Sequence, residues 1–90
     1  MSRVSIISHA RARAEERGVS ESEIKQTVLG GIEFAAKAGR KAKEKIFGYH
    51  REWLGREYEQ KKVQVIYLET GEEIIVITVK AFYGRFGEEP

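Results

Sequence analysis

Ninety residues, 41% hydrophobic and 33% charged, fit one small globular domain and leave no room for a second. The chain has no cysteine, which excludes a disulfide framework and a thiolate metal site, and its formal net charge of +2 is too small by itself to diagnose a nucleic-acid partner. No apolar run is long enough for a membrane span, and the opening Met-Ser-Arg-Val-Ser-Ile-Ile-Ser lacks the apolar length of a signal peptide, so cytoplasmic residence is expected.

A domain of this size buries only roughly 60–65% of its unfolded surface, so a partner or a second copy is a natural cover for what remains. In chain order, Val4, Ile6 and Ile7 form a short strand or simply lead into a helix. Ser8 is placed to cap a helix over 9–17, with Ala10 and Ala14 as a thin face that allows close approach to a sheet. Gly18 suits the left-handed position that ends it. Ser20 and Glu23 make a capping-box pattern for a second helix over 21–29, which buries Ile24 and Val28 and stops at Gly30 and Gly31.

The period then shifts towards two. A strand is expected over 32–36, a polar turn over 38–41 and a second strand over 45–49. Two stronger apolar runs follow over 63–68 and 74–79, joined by a tight connection at 69–72. In the last run, Ile75, Ile77, Val79 and Ala81 are expected to meet the helices. Ile74, Val76, Thr78 and Lys80 then take the other, partly covered face. The segment 50–60 reads as a long hairpin loop or as extensions of the strands on both sides. The aromatic and basic stretch 82–86 precedes a tail, 87–90, expected to fray. The predicted architecture is α+β in a single domain: a helical hairpin over about 8–30 packed on an antiparallel sheet of about four strands over about 32–86.

Three features bear on chemistry. His9, Arg13 and Arg17 fall at i, i+4 and i+8, one cationic stripe on the first helix. Metal-free RNA cleavage needs a base for the 2′-hydroxyl proton, an acid for the leaving oxygen and cations for the crowded negative charge. Histidine is the residue type whose reference pKa lies near neutrality, which makes His9 the candidate for proton transfer, and Arg13 and Arg17 can bind phosphate bidentately. Lys80, Tyr83 and Arg85 would complete such a site with the last strand beside the first helix. The plainer reading makes His9 an exposed first-turn residue and Arg17 a partner of the helix C-terminal dipole.

The second feature is the basic middle: Lys37, Arg40, Lys41, Lys43, Lys45, Arg51, Arg56, Lys61 and Lys62, opposed locally by Glu44, Glu52, Glu57 and Glu59. Such runs are more often solvated loops than binding surfaces. The third is the aromatic set Tyr49, Trp53 and Tyr58, which can stack on bases but more often packs a loop onto a core. His50 with Glu52 is a poor metal signal, Gly30 and Gly31 lack the rest of a nucleotide-binding loop, and neither a metal nor a cofactor is expected.

A helical hairpin before an antiparallel sheet, opening with His-Ala-x-x-Arg-x-x-x-Arg-Gly-Val-Ser, resembles a small bacterial domain of unknown function, number 4258. The segments Val-Ile-Tyr-Leu-Glu and Ile-Ile-Val-Ile-Thr-Val resemble that family's strands, and the resemblance runs from about Ser8 to Phe86. That family looks related to the RelE/ParE-type toxin fold, whose members include ribosome-dependent messenger-RNA endonucleases and gyrase inhibitors. The resemblance implies a fold more than a reaction. It suits a toxin-like RNA-interacting protein: a metal-independent ribonuclease or translation inhibitor, with RNA or the ribosome as target and an antitoxin as partner. The alternative is a noncatalytic module that dimerises or holds a protein partner through its mixed sheet face. A small-molecule enzyme is a distant third.

Overall fold

The computed structural model describes residues 3–87. Its elements run β1 (Arg3–Ile6), α1 (Ser8–Arg17), α2 (Glu21–Gly30), β2 (Ile32–Phe34), β3 (Lys41–Trp53), β4 (Arg56–Thr70) and β5 (Glu73–Gly84). The α+β architecture is as expected, but the sheet has five strands in the order β1-β5-β4-β3-β2. The extra strand is β1, which pairs in parallel with β5, Arg3 opposite Glu73 and Ile6 opposite Val76; all other pairings are antiparallel. Of the two conformations open to Val4 and Ile6, the fold adopts the strand.

Local chemistry accounts for the helices. Ser8 does not cap α1; it is the first helical residue, and the N-cap is Ile7, with no side-chain cap bond. Ile7 instead donates its N–H to the Val76 carbonyl at 3.3 Å, which continues the β1–β5 ladder into the helix start. Gly18 ends α1 at φ 71°, ψ 33°, and Val19 N–H reaches back to the Ala14 carbonyl at 2.8 Å. The capping box of α2 is complete: Glu23 N–H donates to Ser20 Oγ at 3.1 Å, and Ser20 N–H donates to Glu23 Oε1 at 2.9 Å.

Both helices lie on one face of the sheet, α1 against β5 and α2 against β3 and β4. The core between them joins Ala10, Ala14, Val19, Ile24 and Val28 to Val63, Val65, Tyr67, Ile74, Val76 and Val79. Most of these side chains are aliphatic, and each full burial contributes roughly 1.5–3 kcal/mol. The two alanines let α1 come close to β5.

The facing of β5 corrects the alternation read from sequence. Ile74 and Val76 point into the core with Val79, while Ile75 and Ile77 are half-buried. The ladder shifts register between Ile66 and Tyr67: Ile66 pairs with Thr78, but Tyr67 pairs with Val76. Ile77 is therefore the extra residue of a β-bulge, and it inverts the parity between the two halves of the strand. The segment 50–60 is strand extension on both sides, closed by a two-residue turn at Leu54 (φ 51°) and Gly55 (φ 83°). Two successive positive φ angles give the turn that matches strand twist. A second irregularity falls between Gly48 and Arg51, where His50 has φ 50°.

The expected frayed tail is only partly within view. The Gln60 side chain accepts from Phe86 N–H at 2.6 Å and Gly87 N–H at 3.2 Å and donates to the Gly87 carbonyl, so that a buried glutamine anchors the chain there. The rest of 87–90 lies outside the described residues, as do Met1 and Ser2 of the opening segment. No helix among the described residues is long and apolar enough to cross a membrane.

Candidate nucleic-acid interface

The site grows from the junction between the helices. Gly18 is forced by two independent constraints. Its φ is left-handed, and a Cβ there would lie 2.5 Å from Trp53 Cζ3 and 2.9 Å from Tyr83 Oη. The β3–β4 ribbon therefore reaches back over the α1 terminus. Trp53 stacks on Tyr83 with centroids 4.9 Å apart and planes 14° from parallel. Tyr49 meets Tyr83 edge-on at 5.2 Å, and Tyr58 lies 5.7 Å away at a tilt.

Tyr83 donates its hydroxyl proton to the Arg17 carbonyl. Burial first, then the neighbouring Tyr49 and Glu23, pushes its phenol up to about 12. At neutral pH this tyrosine is a protonated donor already engaged, not a base. Arg17 is held at its other end as well, where its guanidinium donates to the Val79 carbonyl at 2.8 Å.

Beneath the rings sits Lys61, whose side chain is only 3% exposed. Its Nζ donates to the Gly18 carbonyl at 2.9 Å and to Glu23 Oε1 at 2.8 Å, and lies 5.3 Å from the Tyr49 ring centroid. One carboxylate thus closes the α2 capping box and receives the buried ammonium. Lys61 is in phase with Val63, Val65 and Tyr67, which was the one sequence signal of its inward direction.

The basic middle is not one surface. Lys41 pairs with Glu69 at 2.6 Å, Lys43 donates to the Val28 carbonyl at 3.0 Å, and Lys62 lies between the rings of Phe82 and Phe86 on the opposite sheet face. The cations that remain with the aromatic cluster are Arg51, 5.0 Å from the Tyr49 ring, and Arg56, 5.7 Å from Tyr58. The register explains this. Arg51 is opposite Tyr58 and Trp53 is opposite Arg56, whereas Glu52 is opposite Glu57. Alternation puts the arginines and rings on one side of the ribbon and the two carboxylates on the other.

The remaining candidates disperse. His9 is exposed in the first turn of α1, eight residues before Arg17 and so about 12 Å away along the helix. Arg13 pairs with Glu16 at 2.9 Å. Lys80 aligns with Gln64 and hence Glu44 on the open sheet face, away from the helices. Arg85 pairs with Glu59 at 2.7 Å. The structure brings Arg17 and Tyr83 together and does not gather the other four around them. Among the described residues no cluster of potential metal ligands occurs.

The family model described as a domain of unknown function (DUF4258) matches residues 6–80. The chain belongs to this family. No curated protein and no solved structure matches it. The matched DUF4258 segment includes Arg17, Gly18, Trp53 and Lys61 and ends before Tyr83, so the ring that Trp53 stacks on lies beyond it.

Proposed function

We propose that this DUF4258 domain is a toxin-like RNA-interacting protein that contacts single-stranded RNA with the cationic–aromatic side of its β3–β4 ribbon. The observation that carries the reading is the segregation of Arg51, Arg56, Tyr49, Trp53 and Tyr58 from Glu52 and Glu57. Half-exposed rings offer π faces to bases, guanidinium groups meet the phosphates, and the carboxylates point away from the approaching strand. The relation to RelE/ParE-type toxins is part of this proposal; the helical hairpin on one face of the sheet is compatible with it.

The test is the salt dependence of binding to a fluorescent single-stranded oligonucleotide. Arg51→Gln with Arg56→Gln should reduce the slope of log affinity against log salt by roughly 1.4, about 0.7 for each phosphate no longer neutralised. An unchanged slope removes this surface. Arg51 and Arg56 are better probes than Lys41 and Lys43, whose loss would also disturb Glu69 and the end of α2.

Ribonuclease activity is the stronger form of the proposal. It assigns proton transfer to His9 and phosphate binding to Arg13, both accessible on α1 and reached by an RNA that extends beyond the ribbon. His9→Ala should then lose turnover while retaining binding. Induced expression that arrests growth and fragments RNA supports this form; arrest with intact RNA favours translation inhibition.

A noncatalytic interaction module is the second reading, supported by the open sheet face, where Ile32 is 74% exposed and Phe82 44%. A stable dimer without toxicity or RNA binding would favour it.

A further inference from the structure

We infer that the outer edge of β3 over 45–49, together with the groove between that edge and α2, is a docking site for an extended acidic peptide that adds to the sheet as a sixth strand. β2 pairs with β3 only from Ala42 to Glu44, yet β3 runs on to Trp53. Over 45–49 the outer edge has no strand partner among the described residues. Backbone N–H and C=O groups along such an edge are obligatory hydrogen-bonding groups, and a free stretch of five residues spans roughly 17 Å. The bulge between Gly48 and Arg51 bends the strand only after this stretch, so its straight part is left open to pairing.

Beside the edge runs an open groove of about 790 Å³, lined by Glu21, Ser22, Lys25, Gln26, Leu29 and Lys45 among others. Leu29 is 65% exposed there. Lys25 on α2 and Lys45 on β3 line the groove, and Lys43, two residues before Lys45 on the same side of β3, gives its ammonium to the Val28 carbonyl beside it; Glu21, 3.5 Å from Lys25, is the acid in the lining. A strand with carboxylates on its α2 side would meet these cations. Its alternate side chains would lie beside Ile46, which is half-buried on the other sheet face and favours aliphatic neighbours. A second copy of this chain would bring the same cations to the seam, which argues for an acidic partner over self-pairing.

The experiment uses isotope-labelled full-length protein and acetyl-Glu-Val-Glu-Val-Glu-Val-amide, followed by amide chemical shifts. Binding should move the amides of 45–49 and α2. Lys25→Glu with Lys45→Glu should weaken it at least about tenfold, and a peptide with lysine in place of glutamate should not bind. Two further peptides carry N-methyl groups on alternate amides, one in each phase. Strand addition requires one phase to abolish binding and the other to retain it, because only one set of amides faces β3. Equal loss or equal retention overturns the inference, as does the absence of binding or a response centred on the ribbon tip or the open sheet face. Concentration-dependent self-association that protects 45–49 without peptide assigns the edge to a second copy and also overturns it.

Discussion

At the β5 margin of the sheet, β1 covers 73–76, the Ile7 N–H takes the Val76 carbonyl, and the Arg17 guanidinium takes the Val79 carbonyl. At the β3 margin, β2 covers 42–44, and over 45–49 the outer edge has no strand partner among the described residues while the inner edge stays paired with β4. A strand edge can therefore be closed without a strand, by an arginine on a neighbouring helix that supplies the missing donor. The two margins also differ in what fastens them. Arg17, Gly18, Tyr83 and Lys61 tie the β5 side to the helical junction through hydrogen bonds at four residues, whereas the outer part of β3 faces an open groove. One margin is built for stability, and the other is left available.

Breaking the fastened side should have the largest effects. Lys61→Met removes the buried ammonium, deprives the Gly18 carbonyl of its donor and leaves the Glu23 charge uncompensated. It should cost about 3 kcal/mol in urea unfolding. Arg17→Met keeps much of the apolar stem but reopens the Val79 carbonyl. The expected loss is about 1–1.5 kcal/mol, with faster amide exchange along β5 and little change along β3.

Tyr83→Phe deletes the bond to the Arg17 carbonyl and should cost about 1 kcal/mol at neutral pH. It also carries a pH signature. The folded phenol is raised to about 12, above its ordinary value of 10.0, because the fold favours the protonated form. The stabilisation is intact below pH 10 and is lost as pH rises from about 10 to about 12. Over that window the parent protein should lose more stability than the phenylalanine variant; parallel losses would show that Tyr83 ionises normally.

The smallest effect belongs to the open side. Lys45→Gln should change stability by less than about 0.5 kcal/mol, since Lys45 lines an open groove and its ammonium lies 5.8 Å from the Phe47 ring centroid. A larger loss would mean that this margin is structural too, and the contrast between the edges would fail.

Much of the fold was legible in residue patterns. The capping box at Ser20 and Glu23, the left-handed glycine at 18 and the two strong apolar runs act locally, within a few residues, and survive into the structure. The direction of β5 was not legible. Ile74, Ile75, Val76 and Ile77 are all apolar, so either alternation satisfies the pattern, and the bulge that decides between them is fixed by pairing with β4. At the ribbon turn Gly55 was legible as a hinge or turn, whereas Leu54 was not, because a leucine at positive φ is not the residue a tight hairpin advertises. In the candidate site the aromatic residues were visible as a set. Their division from Glu52 and Glu57 depends on a cross-strand register that spacing alone did not determine. The stripe of His9, Arg13 and Arg17 was correctly periodic, but periodicity does not tell which member meets the sheet.

The parallel pairing of β1 with β5 also bears on how the protein is made. Arg3 lies opposite Glu73, so β1 has no place to bind until β5, some seventy residues later, has been synthesised. The local β3–β4 ribbon can assemble earlier, while β1 waits on a contact that spans most of the chain, and contacts of this kind slow folding. A chain stopped before β5 has no Val79 carbonyl for Arg17 and no Tyr83 ring for Trp53, and it leaves the valines of β4 with a strand on one side only. Completion of β5 therefore permits a closing step, and a protease or chaperone that samples the nascent chain meets a sticky half-sheet until that step is made.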